Sequence, residues 1–235
     1  MSFQPQSTYG YDRSASAALA SESARVFMQK VYAWMSGGLA LTAGVAFAVA
    51  SNQAVFAAVA PYLRFVWFGT LGLVFAFSFL AHKVSGPVAA AMFLIYAAAI
   101  GLTFSTLFVV YQLGSIAAAF VVTAGAFAAL SAYATFTKRD LSAWGTFLFM
   151  GLVGLLLAVV VNIFLQSSML AFVVSCVTLV VFAGFTAYDT QKLRQLHASS
   201  GYSSATSLAV SGALTLYLDF INIVLALLRL FGDRR

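Results

Sequence analysis

Seven stretches of the chain are apolar for long enough to cross a bilayer, and the polar residues gather in the short gaps between them. A helix rises about 1.5 Å per residue, so spanning the hydrocarbon takes about 20 apolar residues. The runs are 28–50, 62–81, 87–111, 115–136, 143–165, 168–189 and 208–230. Ser51-Asn52-Gln53 closes the first, and His82-Lys83 with Gly86-Pro87 separates the second from the third. Gln112 to Ser115 and Gln166-Ser167-Ser168 read as tight turns, and Lys138-Arg139-Asp140 as a charged break. The longest connection, 190–207, is polar and contains Gly201. No fixed-period repeat is visible. The pattern predicts an all-α membrane protein of seven transmembrane helices. Residues 1–24 are expected to form a polar, disordered tail, and 25–235 one transmembrane domain.

Composition fits that class. The chain is 63% hydrophobic and 8% charged, whereas a soluble domain carries about 25% charged residues. Too little polar surface exists to face water, so the solvent is lipid. Residues 1–24 lack an apolar segment followed by a cleavage site, so the first span is expected to insert itself. The net charge of +6 does not point to nucleic acid, because the basic residues sit in short loops, the pattern that orients membrane proteins. With the N-terminus cytoplasmic, that side collects Arg13, Arg25, Lys30, Lys83, Lys138, Arg139, Lys192 and Arg194. The other side holds Arg64, Arg229, Arg234 and Arg235. The bias favours a cytoplasmic N-terminus in a cell (inner) membrane, although the C-terminal arginines would also suit a last helix that re-enters. Cys176 is the single cysteine and reads as a small buried residue. His82, His197 and Cys176 stand in no metal-ligand spacing, and no cofactor is expected. Trp34, Trp67 and Trp144 lie near span ends and read as interfacial anchors. Asn162 reads as an interhelical hydrogen-bonding residue.

Candidate chemistry concentrates in two of the six acidic residues. Asp189 and Asp219 fall inside, or at the edge of, apolar spans, while Asp12, Glu22, Asp140 and Asp233 fall in tails or loops. A carboxylate at membrane depth costs about 2.5–3.5 kcal/mol on insertion scales, so an intramembrane acid is a site hypothesis by default. On the last span Ser211, Thr215, Asp219 and Asn222 share a helical face. On the sixth, Ser175, Thr178, Thr186 and Asp189 do the same, with Phe182 between them. Two such stripes on consecutive helices can line a polar seam, and the plainer reading is hydrogen bonding between helices. Two carboxylates in one low-dielectric site do not both ionise cheaply, so the pair is expected to titrate as a unit. It can share a proton, or hold a cation or a basic latch. Ca²⁺ favours oxygen ligands, but two carboxylates do not fill its shell, so transient binding in a pathway is expected rather than a tight site.

The segments GLTFSTLFVVY (101–111), TKRDLS (137–142), FTAYDTQKL (185–193) and LYLDFINIVLALLRLFG (216–232) resemble the Bax inhibitor-1 family, in its bacterial YccA-like branch. The resemblance runs from about residue 25 to the C-terminus. It implies a seven-helix fold whose last helix is central and wrapped by the other six. It also implies a pH-sensitive calcium leak in which the two motif aspartates, here Asp189 and Asp219, form the sensor. Related bacterial members are linked to a membrane-bound AAA protease as substrates or modulators. One departure is visible: some members carry a pore glutamate in the second helix, and residues 64–80 here contain no acid. The candidates for the family's basic latch after that helix are His82 and Lys83, which also read as ordinary loop charges.

Two other functions compete. Tyr188-Asp189 and Tyr217-Leu218-Asp219 imitate an intramembrane aspartyl protease dyad. However, Asp219 lacks the preceding glycine of a GxGD motif, and no Pro-Ala-Leu follows it, so the chain is not expected to be an enzyme. The second competitor is a non-conducting regulator that docks on a membrane protease through its N-terminal tail. A leak needs both carboxylates; a docking protein does not.

Overall fold

The computed structural model describes residues 8–80, 83–198 and 205–235. Among the described residues eight α-helices follow one another: α1 (Thr8–Ala50), α2 (Gln53–Val59), α3 (Leu63–Leu80), α4 (Gly86–Val110), α5 (Leu113–Phe136), α6 (Ser142–Leu165), α7 (Ser168–Ala198) and α8 (Ala205–Phe231). A 3₁₀ turn, Ala60–Tyr62, joins α2 to α3, and the two act as one span over Gln53–Phe77. Among the described residues seven helical spans are therefore long and apolar enough to cross a membrane.

Local chemistry explains the boundaries. Asn52 caps α2, its Oδ1 accepting from the N–H groups of Ala54 and Val55 at 3.1 and 3.2 Å. Such a cap satisfies donors that have no partner within the helix. The second span thus begins at Gln53, ahead of the expected residue 62. Pro61 sits in the first turn of the 3₁₀ segment, where its missing N–H is not needed. α6 ends on Gln166, in the left-handed region at φ 49°. Asn162 secures that end, its Oδ1 accepting from the Ser167 N–H at 3.0 Å, and so serves as a local cap rather than as an interhelical bond. α1 starts at Thr8, within the stretch expected to be a tail, in a segment rich in alanine, the strongest helix former.

α8 is the most buried helix. More than half of its apolar segment is covered, against a third or less for any other span. It packs on α1, α4, α5 and α7, while α3 packs chiefly on α4 and α6 chiefly on α7. Ala209, Gly212, Ala213 and Ala226 are all buried along α8, and small residues let helices approach closely in lipid. The outer helices instead expose large apolar side chains such as Phe136 and Phe164, both 81% exposed, which suits a lipid solvent. One polar node joins three helices. Thr42 of α1 donates its hydroxyl proton to the Ala97 carbonyl of α4 at 2.9 Å and lies 2.6 Å from the Tyr217 hydroxyl of α8. Phe93 and Tyr96 meet the Tyr217 ring edge-on.

Hydrogen bonds also tie the helix ends. At one end Ser23 bonds His197 at 2.9 Å, joining the start of the first membrane span, Ser21–Ala50, to the end of α7. There Arg194 donates to the Thr135 carbonyl at 2.6 Å, bringing in the end of α5. At the opposite end Gln112 N–H donates to the Asp233 carbonyl and Arg235 N–H to the Val110 carbonyl, both at 3.0 Å. α8 therefore runs the full depth and finishes beside the α4–α5 turn; it does not re-enter.

Candidate functional site

Asp189 and Asp219 come together where α7 and α8 run antiparallel. The register is set by Leu193, which packs against Gly212; a Cβ on Gly212 would lie 2.8 Å from Leu193 Cδ2. Counting back from that contact, Asp189 is level with Leu216, and Asp219 lies three residues further along, about 4.5 Å. Leu193 and Asp189 are four residues apart on α7, and Gly212, Leu216 and Asp219 follow the same face of α8, so both carboxylates point into one helix–helix seam. Asp189 is near enough for its charge to act on Asp219. Asp219 is 4% exposed and Asp189 9%. Asp219 Oδ2 is buried without a hydrogen-bond partner. Among the described residues Glu22–Arg25 is the only ion pair, so neither intramembrane carboxylate is neutralised by an arginine or lysine within contact distance. Lys192, one turn beyond Asp189, exerts a longer-range attraction and lies 5.4 Å from the Tyr188 ring centre.

Five of the six hydroxyl and amide residues expected to line a path, all but Ser211, donate within their own helices. Thr215 donates to the Ser211 carbonyl and Asn222 to the Leu218 carbonyl. Ser175, Thr178 and Thr186 donate to the carbonyls of Ala171, Val174 and Phe182. These five side chains therefore do not join helices by donating to one another; among the described residues, bonds between helices come instead from Thr42, Arg194, and the Ser23–His197 and Ser131–Thr190 pairs. With their protons committed, the hydroxyls present only lone pairs to any visitor. Ser211, Thr215 and Asn222 are half-buried, while Asp219 is buried. At 100° per residue Asp219 sits ~60° around α8 from the centre of the other three, turned toward α7. The stripe continues to Arg229, exposed, five turns beyond Ser211, where it borders a cavity with Asn162 and Ser175. The sequence reading counted Arg229 only as a topology charge; its spacing of 18 residues from Ser211 is the signal that places it on the stripe.

Of the expected latch residues, Lys83 is exposed in the α3–α4 connection and pairs with neither aspartate, and His82 lies outside the described residues. Among the described residues no group of three or more His, Cys, Asp or Glu side chains gathers as a metal cluster. Two carboxylates and a few hydroxyl oxygens fall short of the six to eight oxygens of a resident Ca²⁺.

Sequence comparison fits this geometry. Residues 24–235 match the family described as Inhibitor of apoptosis-promoting Bax1. The chain is 45% identical to the inner membrane protein YbhL of Escherichia coli K12 over 217 residues, covering 90% of this chain and 93% of that protein. It is equally 45% identical to a Deinococcus radiodurans protein, covering 91% and 93%. A membrane protein of Streptococcus pyogenes shares 33% identity over 88% of this chain and 92% of its own. A match over nearly the whole seven-span unit makes this multi-pass membrane protein a member of the Bax inhibitor-1 family.

Proposed function

We propose that the protein is a passive, pH-gated cation leak, with Ca²⁺ as the permeating ion and the Asp189–Asp219 pair as its sensor. The observation that carries this reading is the unpartnered Asp219 Oδ2, buried beside a second carboxylate with no ion-pairing base. A charge in that position needs a proton or a cation, and exchanging one for the other is what a proton-gated cation path does. The acceptor oxygens of Thr215 and Asn222, with the Ser211 hydroxyl, extend the route along α8. A cation leaving by this face passes Arg229, whose guanidinium is the electrostatic barrier of the path. The family resemblance implies a closed state built on the deprotonated aspartate pair, so flux should rise as pH falls. The Lys/Arg bias and the finish of α8 beside the α4–α5 turn support a cytoplasmic N-terminus and a C-terminus on the other face, in the inner membrane.

The test is Ca²⁺ flux through purified protein in liposomes, from mildly acid to mildly alkaline pH. Asp219→Asn and Asp189→Asn each keep the shape and should flatten the pH response, and the double variant should add little because the pair titrates as one site. Absence of flux at every pH would overturn the leak and leave the regulator of a membrane-bound AAA protease as the better reading. Unchanged pH dependence in both variants would remove the pair from the sensing role.

A further inference from the structure

A second polar feature lies outside the α7–α8 seam. Between the end of α5, the start of α6 and the middle of α7 is a cavity of about 320 Å³. Its floor is apolar, with Leu130, Ala183 and Gly184, and its rim carries Arg139 and Asp140 together. Trp144 and Tyr133, which also line it, are 57% and 50% exposed. Exposed aromatics at helix ends mark headgroup level in a bilayer. The cavity therefore combines an apolar floor with one positive and one negative charge at the depth of lipid headgroups.

The loop that carries the two charges is braced, and both charges are left available. Gln191 of α7 brackets the loop: its Oε1 accepts from the Leu141 N–H at 2.8 Å, and its Nε2 donates to the Arg139 carbonyl at 2.9 Å. Arg139 N–H donates to Thr137 Oγ1 at 3.2 Å. Asp140 Oδ1 accepts from the Ser142 N–H at 2.9 Å, and a carboxylate, with about four lone-pair sites, keeps further acceptor capacity. Hydrogen bonds from the Ser142 side chain and backbone hold the Asp140 carboxyl below its usual range, so it is anionic at neutral pH. Among the described residues neither Arg139 nor Asp140 is in an ion pair, with each other or with a third group. A cation carried on a braced loop backbone beside an anion, over an apolar floor, complements a ligand that carries a phosphate, an ammonium and an acyl chain.

We propose that this cavity binds one phospholipid with a phosphoethanolamine headgroup. Arg139 takes the phosphate through its planar fork, the Asp140 carboxylate accepts from the primary ammonium, and the apolar floor takes the first part of an acyl chain. A choline headgroup offers no N–H to Asp140, and a glycerol headgroup offers no positive charge. Both should bind more weakly, by roughly tenfold, the size of one lost hydrogen bond to a charged group.

The test is native mass spectrometry of the full-length, detergent-purified protein titrated with phosphatidylethanolamine, phosphatidylcholine or phosphatidylglycerol of identical chains. Wild type should retain the ethanolamine lipid roughly tenfold better than the other two. Asp140→Asn keeps the oxygen that Ser142 bonds and should erase the preference for ethanolamine over choline. Arg139→Gln should weaken all three lipids. Equal retention of the three by wild type, tighter binding of the glycerol lipid, or an unchanged preference in Asp140→Asn would each overturn the proposal. So would competition by free phosphoethanolamine at the lipid's own concentration, since the site would then read a soluble headgroup rather than a lipid. A circular dichroism spectrum matching wild type qualifies each variant, and the wild-type selectivity decides the question even if one variant fails to fold.

Discussion

Replacing Thr42 by valine keeps its shape and removes the hydroxyl that joins α1, α4 and α8. Tyr217 is fully buried and gives its hydroxyl proton to Thr42, because the Thr42 proton is already committed to the Ala97 carbonyl. Thr42→Val therefore strands the Tyr217 hydroxyl in a water-free site. An unsatisfied buried hydroxyl costs about 1–3 kcal/mol. The lower part of that range applies here, because interhelical hydrogen bonds in membranes average about 0.6 kcal/mol. Tyr217→Phe is milder: it removes one donor, leaves the Thr42–Ala97 bond intact and should cost about 0.5–1 kcal/mol. The double variant has no stranded polar atom, so it should be more stable than the sum of the singles predicts, by about 0.5–1 kcal/mol. Equilibrium unfolding of the purified protein in mixed detergent and dodecyl sulfate micelles measures all three. Strict additivity, or a Tyr217→Phe cost equal to that of Thr42→Val, would refute the assignment of proton directions at this node.

Two glycines separate rigid from yielding contacts. A Cβ on Gly101 would lie 2.8 Å from the Thr42 carbonyl oxygen, which cannot move aside, whereas one on Gly212 meets only the tip of Leu193. Gly101→Ala should lose about 1–3 kcal/mol in the same assay, and Gly212→Ala clearly less, with Leu193→Ala relieving it; the reverse order would contradict the packing. Topology is checked by single cysteines in a Cys176→Ala background. Glu22→Cys and Lys138→Cys should react with an impermeant maleimide from one side of the membrane and Arg235→Cys from the other, and labelling of all three from one side would break the fold described.

The spans were legible because hydropathy over twenty residues depends on lipid contact alone, and four of the seven expected runs agree with their helical spans to within about three residues at each end. The second span shows the limit. Residues 54–60 are apolar, but Pro61 reads as a break until the 3₁₀ turn is seen to accommodate it. The acid pair was legible because the chain has only six acids to place. What periodicity could not supply was rotation and proton direction. It put Asp219 on the same stripe as Thr215 and Asn222, yet the aspartate is turned toward α7 while they remain half-buried. It left open whether the hydroxyls bond across helices, and their own carbonyls, four residues back, are the nearer acceptors. The Arg139–Asp140 cavity was invisible for another reason: its walls come from three helices, and the bond from Gln191 that shapes it reaches across 50 residues.

Among the seven spans the most buried is also the last to leave the ribosome. During synthesis α1, α4, α5 and α7 thus meet the bilayer before the helix that fills the space among them exists. Until α8 arrives, Phe93, Tyr96 and the Thr42 oxygen face a slot that lipid tails fit poorly. Biogenesis is therefore a closing step rather than a sequential stacking of finished helices. A chain interrupted before residue 205 leaves the apolar surface around Val31, Met35 and Phe93, and the Thr42 hydroxyl among it, without the helix that covers them.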